Sequence, residues 1–117
     1  MTVLRIVSNI ATTDIASLSA FYSDLFGLKV VMDHGWIVTL AGPDQAPVQI
    51  SFASQGGQGT PVPDLSIEVE DVDATYAGAL ALGHEITYPL TDEPWGLRRF
   101  FLRDPAGRLL NILSHTG

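Results

Sequence analysis

Pro94-Trp95-Gly96-Leu97-Arg98-Arg99-Phe100-Phe101-Leu102-Arg103-Asp104-Pro105-Ala106-Gly107-Arg108-Leu109-Leu110-Asn111-Ile112-Leu113 is the stretch that decides the fold. Phe100, Phe101 and Leu102 are aromatic and aliphatic strand formers, and Leu109 to Leu113 is a second apolar run. Between them, Asp104-Pro105-Ala106-Gly107 places proline where a turn needs φ fixed and glycine where it needs freedom. Two strands and a tight turn are predicted, a hairpin near the C-terminal end.

Upstream of the hairpin, Leu65 to Val69 reads as a strand, followed by Asp71-Val72-Asp73 and a helix over Ala74 to Leu82 that Gly83 ends. Glu85-Ile86-Thr87-Tyr88 is a further strand, and Pro89 to Pro94 a proline-containing loop. The first half runs in the same order. Residues 3–10 suit a strand, Thr13 or Asp14 caps a helix, and Ile15, Leu18, Phe21, Tyr22, Leu25 and Phe26 form its apolar stripe up to Gly27. Strands follow at Leu28 to Met32, Trp36 to Leu40 and Val48 to Phe52, with Ala41-Gly42-Pro43-Asp44 as a break. Ala53 to Asp64, rich in Gly, Gln, Pro and Ser, reads as a flexible linker. A shift of 57 positions lays Asp14 on Asp71 and Ile15 on Val72. Strand, helix and three strands therefore occur twice.

These residues carry a resemblance. Trp95-Gly96-x-Arg98-x-Phe100-x-x-x-Asp104-Pro105-x-Gly107 resembles the closing hairpin of the vicinal oxygen chelate superfamily, and its form is most similar to the bleomycin-resistance branch. Asp14-x-x-x-Leu18-x-x-Phe21-Tyr22-x-x-x-Phe26-Gly27-Leu28 matches the first helix of the same superfamily, which includes glyoxalase I and the extradiol dioxygenases. The resemblance implies an α+β fold: two βαβββ modules, about 1–55 and about 62–115, forming one domain with a cupped mixed sheet and helices outside. It also implies a homodimer that binds a small molecule.

Composition bounds the function independently. The chain has 117 residues, 46% of them hydrophobic, enough for one ordinary globular domain. No apolar run approaches the roughly 18–20 residues that span a bilayer. Met1-Thr2-Val3-Leu4-Arg5 does not open a signal peptide, so the cytoplasm is the expected location. Without cysteine there are no disulfides and no thiolate metal sites. A net charge of −7 argues against nucleic acid, because phosphate neutralisation needs clustered Lys and Arg. No membrane partner is expected either.

Metal-dependent relatives in this superfamily hold a divalent cation with His, Gln or Glu. The matching positions here are Val7, Gln49, Leu65 and Asn111. Two hydrocarbons and two neutral amides make a poor donor set, so neither metal nor other cofactor is expected. A one-residue shift would bring Ser66 or Asp64 to the third position. His34, His84 and His115 share no ligand spacing, and Gly56-Gly57-Gln58-Gly59 lacks the lysine and helix of a phosphate loop.

What remains is a ligand cavity, with Asn9, Trp36, Gln49, Trp95, Arg98, Phe101 and Asn111 as candidate lining residues. Trp36 and Trp95 can stack on a ring or cover a cation, or simply fill core. Gln49 and Asn111 can hydrogen-bond a ligand or each other. Arg98 is expected to pair with a carboxylate such as Asp104 or Glu93. The leading expectation is a metal-independent protein that sequesters an antibiotic-like, cationic or planar metabolite. The alternative is a lyase, isomerase or dioxygenase with an unorthodox or absent metal site. Glu68 is then the best general base, although its parity against Leu65 and Ile67 predicts that it faces away from the cup. A dimeric accessory domain without a small ligand is the third possibility.

Overall fold

The structure is a computed structural model that describes residues 2–43 and 49–116. Its elements are β1 (Val3–Ala11), α1 (Ile15–Phe26), β2 (Lys29–Asp33), β3 (Ile37–Ala41), β4 (Gln49–Ala53), β5 (Leu65–Val69), α2 (Val72–Ala81), β6 (Ile86–Glu93), β7 (Leu97–Arg103) and β8 (Leu109–His115). Parallel and antiparallel pairs are mixed, and the chain is α+β. Val48 and Asp44, which entered the expected fourth strand and the break before it, lie outside the described residues.

The chain packs as two units, Val7–Val62 and, separately, Pro63 onward together with the first residues up to Ile6. β1 therefore contributes its first residues to one unit and its last to the other.

In the unit Val7–Val62 the strand order is β2-β3-β4-β1, with β4 parallel to β1 and antiparallel to β3. Asp14 caps α1 by accepting from Ser17 N at 3.1 Å, and Gly27 closes it at φ 69°. That left-handed backbone suits glycine. Of the expected stripe, Ile15, Leu18 and Tyr22 pack on buried Val38, Leu40 and Phe52, whereas Phe21, Leu25 and Phe26 stay exposed. The segment expected to be a flexible linker is held by its own bonds. Gly56 N donates to Thr60 O at 2.8 Å, and Gly59 N to the Gln55 side chain at 2.8 Å. Gly56 is buried, and a Cβ there would collide with Pro61 O and Thr60 Oγ1.

In the second unit the order is β1-β5-β8-β7-β6, with β5 parallel to β8 and β7 antiparallel to both its neighbours. The hairpin forms as expected. Arg103 pairs with Leu109, and Asp104 Oδ1 accepts from Ala106 N and Arg108 N, each at 2.9 Å. α2 begins at Val72 because the Asp71 side chain accepts from Ala74 N at 3.0 Å. β6 corrects one expectation: it runs through Pro89 instead of ending in a loop there. Its pairing with β7 slips between Tyr88 and Thr91, and β6 is last in the order, so the missing proline N–H breaks no regular ladder.

Strand alternation assigns the two faces of this second sheet. Ile67, Val69, Phe100 and Ile112 meet Val72 and Ala79 of α2, with Leu102, Leu110 and Tyr76 packed around them. The opposite face carries Ser66 and Glu68 from β5, Asn111 and Leu113 from β8, and Arg99 and Phe101 from β7.

Candidate functional site

On that opposite face, pairing puts Ser66, Asn111, Phe101 and Tyr88 side by side across four strands. Asn111 is 7% exposed. Its Nδ2 donates to Ser66 Oγ at 3.1 Å, while its Oδ1 is buried with no hydrogen-bond partner. Turning the amide over would let Ser66 donate to Oδ1 and would leave Nδ2 orphaned, so either assignment leaves one amide atom unmatched. A buried polar atom in that state carries a desolvation penalty of about 1–3 kcal/mol.

This register corrects the sequence alignment at the third family position. Leu65 pairs with Leu110 and lies on the α2 side, so Ser66, not Leu65, stands beside Asn111. In the other unit, Val7 is buried. Asn9 pairs with Ser51, which also pairs with Thr39, and Gln49 lies two residues before Ser51 on the same face. Thr39 Oγ1 and Ser51 Oγ are 2.7 Å apart. Trp36 is half-buried and stacks on His34, with ring centroids 6.0 Å apart.

A metal of the kind used elsewhere in the fold family does not fit these residues. In the second unit Ser66 and Asn111 offer a hydroxyl and an amide, and in the other unit Val7 and Gln49 offer a hydrocarbon and an amide, so neither pair supplies a charged or imidazole ligand. Among the described residues, no group of three or more His, Cys, Asp or Glu side chains could hold a metal ion.

Two more corrections concern charged residues. Arg98 points to the α2 side and pairs with Asp73 at 3.0 Å and Asp92 at 3.2 Å, not with Asp104 or Glu93. Its guanidinium donates hydrogen bonds to these two carboxylates, which raise its pKa above the ordinary arginine value. Glu93 pairs with Arg99 instead, at 2.6 Å, and each side chain is 2% exposed. The Arg99 guanidinium lies over Phe101, Trp95 and Tyr88, at 4.7, 5.0 and 5.2 Å from the ring centroids. The Tyr88 hydroxyl donates to Glu93 at 3.1 Å. Trp95 does cover a cation, but one supplied by the chain itself.

Glu68 does not face away from the candidate residues. It pairs with Leu113 on the face that carries Asn111, and its carboxylate is shared by Arg5 Nε and His115 Nδ1, each at 2.7 Å. Burial pushes its pKa up, but the hydrogen bonds to His115 and Arg5 and their charges outweigh burial and leave it lowered. A carboxylate held ionised in this way is a weak general base.

Sequence reasoning missed Arg99 and Tyr88, and it reached Ser66 only as a one-residue shift from Leu65. The available signal was parity: Arg99 lies two residues before Phe101, on the same strand face. Among the described residues no helix is long and apolar enough to cross a membrane.

The family model of the Glyoxalase/Bleomycin resistance protein/Dioxygenase superfamily matches residues 3–112. A Vibrio splendidus 12B01 member of that superfamily is 19% identical with a TM-score of 0.69, over 97% of this chain and 99% of that one. A variant of Streptomyces coelicolor methylmalonyl-CoA epimerase, in complex with 2-nitronate-propionyl-CoA, is 19% identical with a TM-score of 0.72, over 99% and 97%. A Legionella pneumophila protein described as NAD-dependent benzaldehyde dehydrogenase is 17% identical with a TM-score of 0.75, over 95% and 99%. At these identities the likeness is one of fold. No functionally curated protein matches the chain.

Proposed function

Because the chain belongs to the glyoxalase/bleomycin resistance protein/dioxygenase superfamily, we propose that it is a metal-independent small-molecule binding protein of the bleomycin-resistance kind. The observation that carries this reading is the unmatched amide atom of buried Asn111. A ligand group with a complementary donor or acceptor would relieve that penalty on binding. The ligand class is a planar, antibiotic-like metabolite. Trp95 is already engaged by Arg99.

Several features support binding over catalysis. The family metal positions hold no charged donor, and Glu68 is committed to Arg5 and His115. We further propose a cytoplasmic homodimer built from one domain of two modules, about 1–55 and about 62–115. Phe21 and Phe26, both exposed with ring centroids 6.3 Å apart, and exposed Leu25 on the same helix support self-association. Sedimentation at several concentrations tests the dimer.

The test of binding is a ligand screen read by Trp36 and Trp95 fluorescence, with each hit recovered and weighed by mass spectrometry. Saturable binding that returns the ligand unchanged supports the proposal. Turnover of the ligand overturns it.

A further inference from the structure

We propose a second binding site, unrelated to the Asn111 face: a pocket of about 420 Å³ beneath α2 that takes an uncharged, largely hydrocarbon small molecule. Its floor is the α2 side of the sheet, including Ile67, Phe100 and Leu110, and its roof includes Thr75, Gly78 and Ala79 of α2. The floor residues stand on the opposite side of the strands from Asn111 and Phe101.

The chain's own repeat shows why the space exists. The shift of 57 positions that lays Ile15 on Val72 also lays Leu18 on Thr75, Phe21 on Gly78 and Tyr22 on Ala79. On α1, Leu18 and Tyr22 fill the space over Val38, Leu40 and Phe52, and the Tyr22 ring is 5.0 Å from Phe52. On α2 the corresponding side chains are a threonine and an alanine, and a Cβ added at Gly78 would meet nothing within 4 Å. Tyr76 of α2 packs on Phe100 at 4.9 Å, but at the lining positions Thr75, Gly78 and Ala79 the second helix presents side chains too small to fill the gap.

Size and chemistry set the occupant. Pockets that hold small molecules run from roughly 300 to 1,000 Å³, and an apolar cavity of about 150 Å³ admits one benzene. The volume here therefore suits a molecule of about two to three benzene rings in bulk. The Thr75 hydroxyl donates to Asp71 O at 2.9 Å and is not available to a ligand. Among the described residues no Lys, Arg, Asp or Glu lines the pocket, and His84 is its only ionisable neighbour. A charged ligand would lose hydration there without a counter-ion.

The test uses N-phenyl-1-naphthylamine, an uncharged fluorophore, titrated into the full chain. Saturable one-to-one binding with blue-shifted emission is expected. Thr75→Leu, which restores the bulk that Leu18 carries on α1, and Gly78→Leu, which adds a side chain to a lining position, should each weaken it by roughly tenfold or more. Gly78→Ala, a milder change that favours the helix, should keep most of the affinity and serves as the folding reference. Asn111→Leu separates the two sites, because probe binding here should survive it whatever becomes of the proposed function. No saturable binding would overturn the inference, as would parental affinity in both leucine variants. So would sedimentation showing a dimer that Gly78→Leu dissociates, since a second copy would then cover the pocket.

Discussion

Arg99 and Glu93 form an ion pair of 2.6 Å with each side chain only 2% exposed, walled by Tyr88, Trp95 and Phe101. Removing one member leaves the other charge buried without compensation, which typically costs about 3–5 kcal/mol. Arg99→Met and Glu93→Gln should each destabilise the fold on that scale in urea unfolding. The double variant Arg99→Met/Glu93→Leu should lose less than the two single losses combined, because it strands no charge.

Arg98 should behave in the opposite way, although it is the arginine that the sequence motif singles out. Its partners Asp73 and Asp92 are exposed, and ion pairs open to solvent contribute little. Arg98→Met should leave the unfolding midpoint and ligand affinity within experimental error of the parent. A loss comparable to that of Arg99→Met would show that the two arginines have been given the wrong roles.

The contrast marks what is legible in the sequence. The repeated order of elements, Asp14 as one of two cap candidates, Gly27 and the Asp104 turn are local signals, and the structure places them as expected; the Asp71 cap, which starts α2 two residues before Ala74, is not among those expectations. Which of two adjacent arginines is buried depends on strand register, and a slip of one residue exchanges the faces. The same slip separates Leu65 from Ser66 at the third family position. Glu68 is misjudged for a related reason: its parity is legible, but the side that α2 occupies is not. The pairing of Arg99 with Glu93 and the aromatic wall around it are tertiary facts that strand periodicity does not encode.

Asn111→Leu should separate binding from stability. It removes the bond to Ser66, worth about 1 kcal/mol, and also the unmatched amide atom, whose burial costs about 1–3 kcal/mol. Stability should therefore hold or rise slightly in urea unfolding, while affinity for any ligand found in the tryptophan screen falls by roughly tenfold or more. A stable variant with parental affinity would remove Asn111 from the site.

Glu68 links the fold to acid pH. Its pKa is lowered in the folded chain, so its stabilising contribution is fully present above the ordinary glutamate range and disappears as pH falls through the folded value. The stability difference between the parent and Glu68→Gln should shrink as pH falls from about 5 downwards. Urea midpoints measured across that range provide the check. A difference that grows on acidification would contradict the arrangement with Arg5 and His115.

Metal-independent recognition is the central claim, and elemental analysis tests it most directly. The protein is purified without chelator and measured again after incubation with Ni, Zn, Mn and Fe(II) followed by desalting. Far less than one metal per chain is predicted under every condition. A stoichiometric, retained metal would contradict the account and would move the enzyme reading ahead of the binding one.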